Sequence, residues 1–466
     1  YFFCKVDGVS GSYCIGVGVI VDIEFGLVVV DRTTVQVAIG DVMLTLNGSE
    51  EVVAWPIFVH PVQNFSVVQF DPSTVKGAFT AASLSWREVD DEDDDDNAVD
   101  ASFISSPPPL RPGDTAEFHG LTSANAPVRQ RTVVVKLERL SLASSSHPQF
   151  TAHSVEVLQF DQIASCLGGV FVALPRTAAA AFPSPSGAVL VPPTPQPVVS
   201  AFWQSFSFSG SDGRKHTMRG LPAPVVRRAI ERIVSDLKRK RAQAQRLVPA
   251  AETGEEEETA VASGRPDCDD GNESVSLRSN ENGATVPPFE DASCGPDRAG
   301  AKDSLGAAPS LPLQLVTVEL SKARAGLGLS EAWCRRVEEK CRNRQKQQVL
   351  EVRRCMAGTP AFSVIETGDI ILALEGKLVT RFREVEVAVE DADGRPVRLT
   401  ILRQLEEKEI TVTPSYLPTR ETNRLFMWAG LMVQAPHLAV LQKGPTLELC
   451  RSEKGWTRTL HTGSRA

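Results

Sequence analysis

Residues 1 to about 210 consist mostly of short apolar runs separated by turn residues. No long amphipathic helix is encoded between these runs. Many short strands at such spacing are typical of a β-sandwich or barrel, because a parallel α/β sheet needs helices between its strands. The pattern therefore predicts a mainly β fold. The predicted strands are residues 14–22, 27–31, 42–46, 51–58, 65–70, 131–137, 154–160, 169–174 and 198–206.

Residues 222–243 change to a helical period. The opposite face of this segment is basic and carries Arg227, Arg228, Arg232 and Lys238. An apolar stripe on one side of a helix indicates that this side packs on a core. We therefore assign residues 1–243 to one domain that ends in an amphipathic helix. The residues of the stripe are Val225, Val226, Ala229, Ile230, Ile233, Val234 and Leu237.

Residues 244–310 have the composition of a linker. Ala, Gly, Ser, Pro and Glu dominate, and residues 255–258 are four consecutive glutamates. Such a segment buries too little apolar surface to offset the entropy of the chain, so we expect disorder. Two smaller insertions, the acidic residues 90–96 and the Ala/Pro-rich residues 177–197, have a similar character.

Residues 311–416 alternate between strand and helix patterns and predict a compact α+β domain of ordinary size. Residues 417–466 begin with a run at 425–434 that looks like the start of a second, similar unit, which breaks off. The predicted strands of the α+β domain are residues 313–320, 348–353, 369–374, 397–404 and 408–413, and its predicted helices are residues 321–344 and 381–391.

Several ungapped motifs, in a fixed order, carry a family resemblance. In the first region they are GVGVIVD at 16–22, GLVVVDRTTV at 26–35 and HPVQNFSVVQFDP at 60–72. In the second they are LSKAR at 320–324, GLSEAW at 328–333 and GDII at 368–371. The chain resembles the second protease-like half, with its PDZ domain, of double-length HtrA/Deg serine proteases of fungi and plants, the pro-apoptotic serine protease branch. The resemblance implies a chymotrypsin-like (trypsin-like) double β-barrel followed by an α+β PDZ domain.

The resemblance also implies where a catalytic triad would lie, and all three positions are substituted. Thr33 stands in place of the general base, Asn64 in place of the orienting aspartate, and Gly168 in place of the nucleophile. A serine hydroxyl attacks only when an imidazole takes its proton and a carboxylate fixes that imidazole. Neither a threonine, an asparagine nor a glycine can fill these roles, so we expect a degenerate triad with no catalytic residue.

An alternative triad remains open. Ser165 or Cys166 could act as a nucleophile with His60 as its base, since a cysteine paired with a histidine is a valid catalytic pair. Cys166 lies two residues before the nucleophile position, however, and His60 lies on the aspartate side of the site. The mutual geometry decides between the two interpretations.

The PDZ resemblance places a peptide groove along the first strand of the second domain. Peptide-binding candidates are Leu313, Leu315, Val316 and Val318. The loop that would hold a C-terminal carboxylate, residues 311–315, lacks the usual glycine, and Pro312 has no amide hydrogen. We expect weak carboxylate binding, with the edge strand still able to accept a peptide as an added strand.

Composition and charge exclude other classes of function. With 49 Lys and Arg against 58 Asp and Glu, the net charge of -9 argues against nucleic acid as a partner. Nine scattered cysteines without a CxxC motif indicate a reducing compartment and no disulfide framework. No apolar stretch of 18 residues predicts a membrane span. No ligand spacing predicts a metal, and no cofactor is expected. The resemblance suggests the nucleus or the chloroplast.

Two functional hypotheses follow. In the first, the chain is a non-catalytic scaffold of a protein quality-control protease. Its barrel assembles as a homo-oligomer, a trimer by resemblance, and its PDZ domain binds peptides or unfolded segments. In the second, the chain is the regulatory C-terminal part of a parent serine endopeptidase whose active half lies upstream. The first residue, Tyr1, agrees with an internal piece of a longer product.

Overall fold

The computed structural model describes residues 14–86, 109–122, 124–140, 155–161, 166–174, 197–205, 218–247, 304–342, 346–356, 359–420, 426–428 and 431–433. The acidic insertion at 90–96, Ser165, nearly all of the insertion at 177–197 and residues 248–303 of the predicted linker lie outside this description. So does most of the predicted second PDZ-like segment, of which two three-residue strands are described, β21 (Phe426–Trp428) and β22 (Leu431–Val433).

An antiparallel five-stranded sheet forms the first half of the β domain, in the order β1-β2-β5-β4-β3. Its inner strands β2 and β5 are buried on both faces. Val28, Val30 and Val68 pack in one hydrophobic cluster, while Leu27 and Val67 on the opposite face pack in another. Burial on both faces explains the uninterrupted apolar runs in the sequence. The strands are β1 (Gly18–Asp22), β2 (Leu27–Asp31), β3 (Val42–Leu46), β4 (Glu50–Val59) and β5 (Phe65–Phe70).

A closed barrel forms the second half. Six strands run in the order β10-β7-β8-β9-β12-β11, and a further pairing of β10 with β11 closes the ring. Its interior includes Phe118, Phe160 and Phe171, the last two stacked with ring centroids 3.7 Å apart. The two-residue β6 (Ser83–Leu84) pairs with β11 from outside the ring. The ring strands are β7 (Thr115–Leu121), β8 (Pro127–Leu140), β9 (Val155–Phe160), β10 (Gly168–Ala173), β11 (Val198–Gln204) and β12 (Met218–Pro222).

The amphipathic helix is α1 (Ala223–Leu247). Its apolar stripe is buried as expected: Val226, Ala229 and Ile233 have no exposed surface and pack in the cluster that joins the two β halves. The mainly β, chymotrypsin-like prediction is confirmed. No helix among the residues described above has the length and hydropathy needed to cross a bilayer.

The second domain is a six-stranded antiparallel sheet, in the order β14-β15-β16-β18-β19 with β17 paired to β16, and it has helices on both faces. Two helices cover one face, α2 (Leu320–Gly326) and α3 (Glu331–Lys340), and α4 (Phe382–Asp391) covers the other. The strands are β13 (Pro309–Ser310), β14 (Leu313–Glu319), β15 (Gln348–Cys355), β16 (Ile370–Leu374), β17 (Lys377–Leu378), β18 (Val397–Arg403), β19 (Glu406–Val412) and β20 (Ser415–Tyr416). β13 pairs with β20, and β17 with β16.

Residues 304–310, which the sequence placed in the linker, are ordered: Leu305 and Gly306 pack on the first domain, and residues 309–310 form β13 of the second. Leu305 lies against the cluster that α1 completes. Gly306 has a φ of 66°, and a Cβ there would lie 2.5 Å from Ile233 Cγ1, so glycine lets the turn approach the helix. Its amide donates to Asp236 Oδ2 at 2.9 Å. The composition of this segment did not indicate that Leu305 packs on an apolar cluster or that the turn at Gly306 approaches α1 closely.

Candidate functional site

The side chains at two of the three triad positions, Thr33 and Asn64, donate hydrogen bonds to the same carboxylate, that of Asp31. The sequence analysis did not identify Asp31 as a site residue. Asp31, the last residue of β2, accepts hydrogen bonds at Oδ1 from the amide of Thr33 at 2.8 Å and from its hydroxyl at 2.6 Å. The fully buried Asn64 donates through Nδ2 to Asp31 Oδ2 at 2.7 Å. The side chains at the base and aspartate positions are thus held by one neighbouring acid.

Ser205, just after β11, brings the second barrel to the same acid. Its amide donates to Asp31 Oδ2 at 3.0 Å, and its hydroxyl donates to Asp31 Oδ1 at 2.9 Å and lies 2.6 Å from Thr33 Oγ1. Burial raises the pKa of Asp31, and the hydrogen bonds from Thr33 and Ser205 act against that rise. These four residues, Asp31, Thr33, Asn64 and Ser205, form the Asp31 cluster, which joins the two β halves.

Gly168 begins β10, and a Cβ there would lie 3.0 Å from the Cβ of Val17. The adjacent Gly16 approaches Thr34 in the same way, since a Cβ on it would lie 2.2 Å from Thr34 Oγ1. Residues 16–17 therefore connect the surroundings of Gly168 to those of the Asp31 cluster. The φ of Gly168 is 158°, a conformation that L-residues rarely adopt.

His60, the base of the alternative triad, has a structural role. Its Nδ1 accepts the backbone amides of Val62 at 3.1 Å and Gln63 at 2.8 Å. Burial lowers the pKa of His60 well below its usual value, and nearby arginines lower it further. The ring packs against Phe58 and Phe65, with centroid distances of 5.8 and 4.9 Å. The imidazole is therefore neutral, and the nitrogen that could accept a proton is already used.

The alternative nucleophile Cys166 is half-buried next to the start of β10. Burial raises the pKa of its thiol, while a backbone hydrogen bond with Gly168 acts against that rise. Because the thiolate is the reactive form, the raised pKa makes Cys166 less reactive than a solvent-exposed cysteine.

The peptide-groove candidates lie on β14, an edge strand that pairs with β15 on one side. Leu315 is buried in the cluster that α4 completes, and Leu313 packs against that cluster. Val318 instead packs with α2 and α3, and Val316 is half-buried. The structure therefore divides the four candidates between the two faces of the sheet.

The loop before β14 has few free amide donors. Pro312 has none, and its carbonyl accepts the amide of Met356 at 3.1 Å. The amide of Leu313 donates to the carbonyl of Leu311 at 2.7 Å. Two amides that such a loop could offer to a carboxylate are thus absent or already bonded.

Comparison with curated proteins finds relatives along nearly the whole chain. Protease Do-like 7 of Arabidopsis thaliana is 27% identical over 455 residues, 95% of this chain. Pro-apoptotic serine protease nma111 of Aspergillus clavatus is 24% identical over 451 residues, 94% of this chain. These similarities support placing the chain in the HtrA/Deg family. It spans about a third of the length of these relatives, 33% and 32%. No family model matches it.

Solved HtrA-type structures align at low similarity. The HtrA-type protease AlgW with decapeptide matches 86% of this chain and 83% of its own, with a TM-score of 0.46 and 13% identity. The serine endoprotease from Yersinia pestis matches 88% of this chain and 91% of its own, with a TM-score of 0.40 and 10% identity.

The PDZ unit lies against the β domain through α4, whose acidic side meets the basic side of α1. Arg228 Nη1 lies 2.8 Å from Asp391 Oδ1, and Arg232 Nη1 lies 3.4 Å from Glu390 Oε2. The basic residues opposite the apolar stripe of α1 thus have partners in the second domain.

Glu386, on the same side of α4, is a buried acid with a raised pKa at this junction. Gln63 Nε2 donates to its Oε1 at 3.1 Å, and Arg383 lies 3.1 Å from its Oε2. Burial raises the pKa of Glu386 to about 7, Arg383 opposes this, and the nearby carboxylates of Glu390 and Glu156 add to it. A large fraction of Glu386 is therefore protonated in the docked structure at neutral pH.

We expect Glu386→Gln to stabilise the chain at pH 8 by about 1–2 kcal/mol. A rise in the pKa of Glu386 from 4.5 to about 7 corresponds to a loss of roughly 3 kcal/mol in folding free energy when the carboxylate is ionised. Because the side chain is 29% exposed, solvent screening reduces this loss, and the variant should recover only part of it. Because the folded pKa is raised, the favourable contribution of protonated Glu386 is complete below about pH 4.5 and is lost as the pH rises through 7. The gain from the variant should therefore shrink as the pH falls towards 4.5.

Urea denaturation of both proteins between pH 4.5 and 8.5 measures this difference. Taking the difference cancels the titration of His60, which both proteins share. The exposed Glu331→Gln of α3 is the matched control and should leave stability unchanged. A pH-independent gap between wild type and Glu386→Gln would contradict the raised pKa.

Proposed function

We propose that this HtrA/Deg segment is a non-catalytic scaffold whose PDZ unit binds peptides. The bonding of Thr33 is the observation that supports it most: the hydroxyl at the base position is held by Asp31 and Ser205. A threonine hydroxyl cannot take a serine proton near neutral pH. Asn64 and Gly168 supply neither a carboxylate nor a nucleophile, and the fixed, neutral His60 argues against the alternative triad.

We expect the chain to leave unfolded casein intact and to remain unlabelled by a fluorescent fluorophosphonate. The probe reacts with activated nucleophiles, and a raised thiol pKa keeps Cys166 in its unreactive form. In-gel fluorescence measures the labelling, and the release of soluble peptides from casein measures the cleavage. Cys14 is also half-buried with a raised thiol pKa, so Cys14→Ala is the matched control. Labelling that survives Cys14→Ala but disappears in Ser165→Ala or Cys166→Ala would end this proposal.

The peptide-binding part of the proposal is supported by the edge position of β14. A peptide that adds as a strand there gains backbone hydrogen bonds, and alternate side chains facing α4 give such binding its specificity. We assign this role to Leu313, Leu315, Val316 and Val318, of which the first two lie on the α4 side. Peptides or unfolded protein segments are the partners that this geometry suits. A homo-trimer built by the barrels is the assembly that the family resemblance implies.

A second candidate function is a regulatory C-terminal part of a serine endopeptidase. It is favoured by length, because the relatives are about three times as long and are named as proteases. Casein hydrolysis by the full-length parent, with and without this segment, distinguishes the two functions. Activity that requires the segment supports the regulatory role, and activity unaffected by its removal supports a scaffold.

A further inference from the structure

The PDZ unit meets the closed barrel at one buried carboxylate, that of Glu156 on β9. Glu156 Oε2 accepts from Nε and Nη2 of Arg381 at 3.1 and 2.6 Å. Glu156 Oε1 accepts the backbone amide of Phe382 at 3.1 Å. Both charged side chains are only 6% exposed. A single barrel residue therefore contacts both a side chain and the backbone at the start of α4.

These contacts satisfy one backbone amide at the N-terminus of α4. Phe382 is the first helical residue, and the first amides of a helix have no partner within it. The helix's own Glu384 accepts the amides of Thr380 at 2.6 Å and Arg381 at 3.3 Å. Glu156 takes the next amide, and its negative charge lies where the helix dipole favours an anion. The α4 N-terminus is capped partly from another domain.

A second barrel residue extends this junction. Arg139 on β8 lies 3.3 Å from Glu156 Oε1 and donates to Gln348 Oε1 at 2.6 Å. Gln348 in turn donates to the carbonyl of Thr380 at 2.8 Å, directly before α4. Burial acts to raise the pKa of Glu156, but Arg381 and then Arg139 bring it below its ordinary value. The carboxylate is therefore ionised at neutral pH.

Helix α4, whose start Glu156 contacts, also flanks the proposed peptide groove. Phe382, Val385 and Val389 of α4 pack in the same cluster as Leu315 of β14, so the position of α4 sets the space beside that strand. We propose that Glu156 of the barrel is a positioning residue for α4 and, through α4, for the peptide groove. The groove then has its binding shape only while the PDZ unit is seated on the barrel. The groove part of this inference rests on the proposed peptide-binding function.

The test uses the full chain and Glu156→Gln, which keeps the size of the side chain but removes its charge. Glu138→Gln is the matched control, because Glu138 is also on the barrel and pairs with Arg219, within the barrel, at 2.7 Å. The hydrogen-exchange rate of the amides of residues 382–385 reports whether the start of α4 is held in place. Fluorescence anisotropy with fluorescein-labelled decapeptides that end in Val, Leu or Phe measures the peptide affinity of the groove.

We expect exchange at 382–385 to accelerate at least tenfold in Glu156→Gln, with peptide affinity reduced about tenfold, and both to stay within twofold in Glu138→Gln. Unchanged exchange overturns the inference, and so does unchanged affinity when the wild type binds. A wild type that binds none of the peptides, with exchange still accelerated in Glu156→Gln, refutes the proposed peptide binding and upholds the positioning of α4.

Discussion

Arg381→Ala is expected to lower the free energy of unfolding by about 3 kcal/mol at pH 7. Removing one partner of a buried ion pair leaves an uncompensated charge, which typically costs about 3–5 kcal/mol. The lower end applies because Arg139 still contacts Glu156. Since the pKa of Glu156 is lowered, the pair's contribution is present above about pH 4.5 and is lost as the pH falls further. Urea denaturation followed by tryptophan fluorescence measures both.

The matched control is Arg398→Ala on the same domain. Arg398 lies 3.6 Å from Glu375, and the two side chains are 66% and 43% exposed. Exposed pairs contribute about 0–1 kcal/mol, so this variant should be nearly neutral. Equal losses in the two variants would mean that the junction with the barrel contributes no more than a surface contact.

Asp31→Ala should cost about 3–4 kcal/mol. Two backbone amides and the side-chain amide of Asn64 lose their acceptor, and each buried donor left unpaired costs about 1–3 kcal/mol. The hydroxyls of Thr33 and Ser205 lie 2.6 Å apart and can bond each other, which limits the total. Asp31→Asn keeps one acceptor oxygen and should lose about half as much. Thermal and urea denaturation give the values.

Asp71→Ala provides a control with the same local chemistry. Asp71 accepts the amide of Ser73 at 2.9 Å and its hydroxyl at 2.7 Å, as Asp31 does from Thr33, but at an exposed site. Loss of such a cap costs about 1 kcal/mol. If Asp31→Ala were no more harmful than Asp71→Ala, the Asp31 cluster would not be a joint between the two β halves.

Much of the fold could be predicted from the sequence, because apolar periodicity reports local burial. The uninterrupted runs of β2 and β5 and the stripe of α1 were placed correctly. β7 (Thr115–Leu121) was missed, since only Ala116 and Phe118 are buried in it and polar residues lie between them. A search for apolar runs does not detect a strand that alternates between buried and half-buried positions.

The site was less predictable, because its contacts join distant parts of the chain. The resemblance placed Thr33 and Asn64, but nothing local in the sequence indicates that Ser205, 174 positions after Asp31, completes the cluster. The same holds for Glu156 and Arg381, which are 225 positions apart. Burying a carboxylate between two arginines depends on how two domains dock, and periodicity carries no information about docking.

The anchoring of residues 304–306 has a topological consequence. Thr419, just beyond the last strand of the PDZ sheets, accepts the amide of Val59 in β4 at 2.8 Å and donates its hydroxyl to the carbonyl of Leu305 at 3.1 Å. The chain therefore enters and leaves the PDZ unit at the same point on the β domain. In this respect the unit is a cassette, whose two ends are close enough for a short turn to join them.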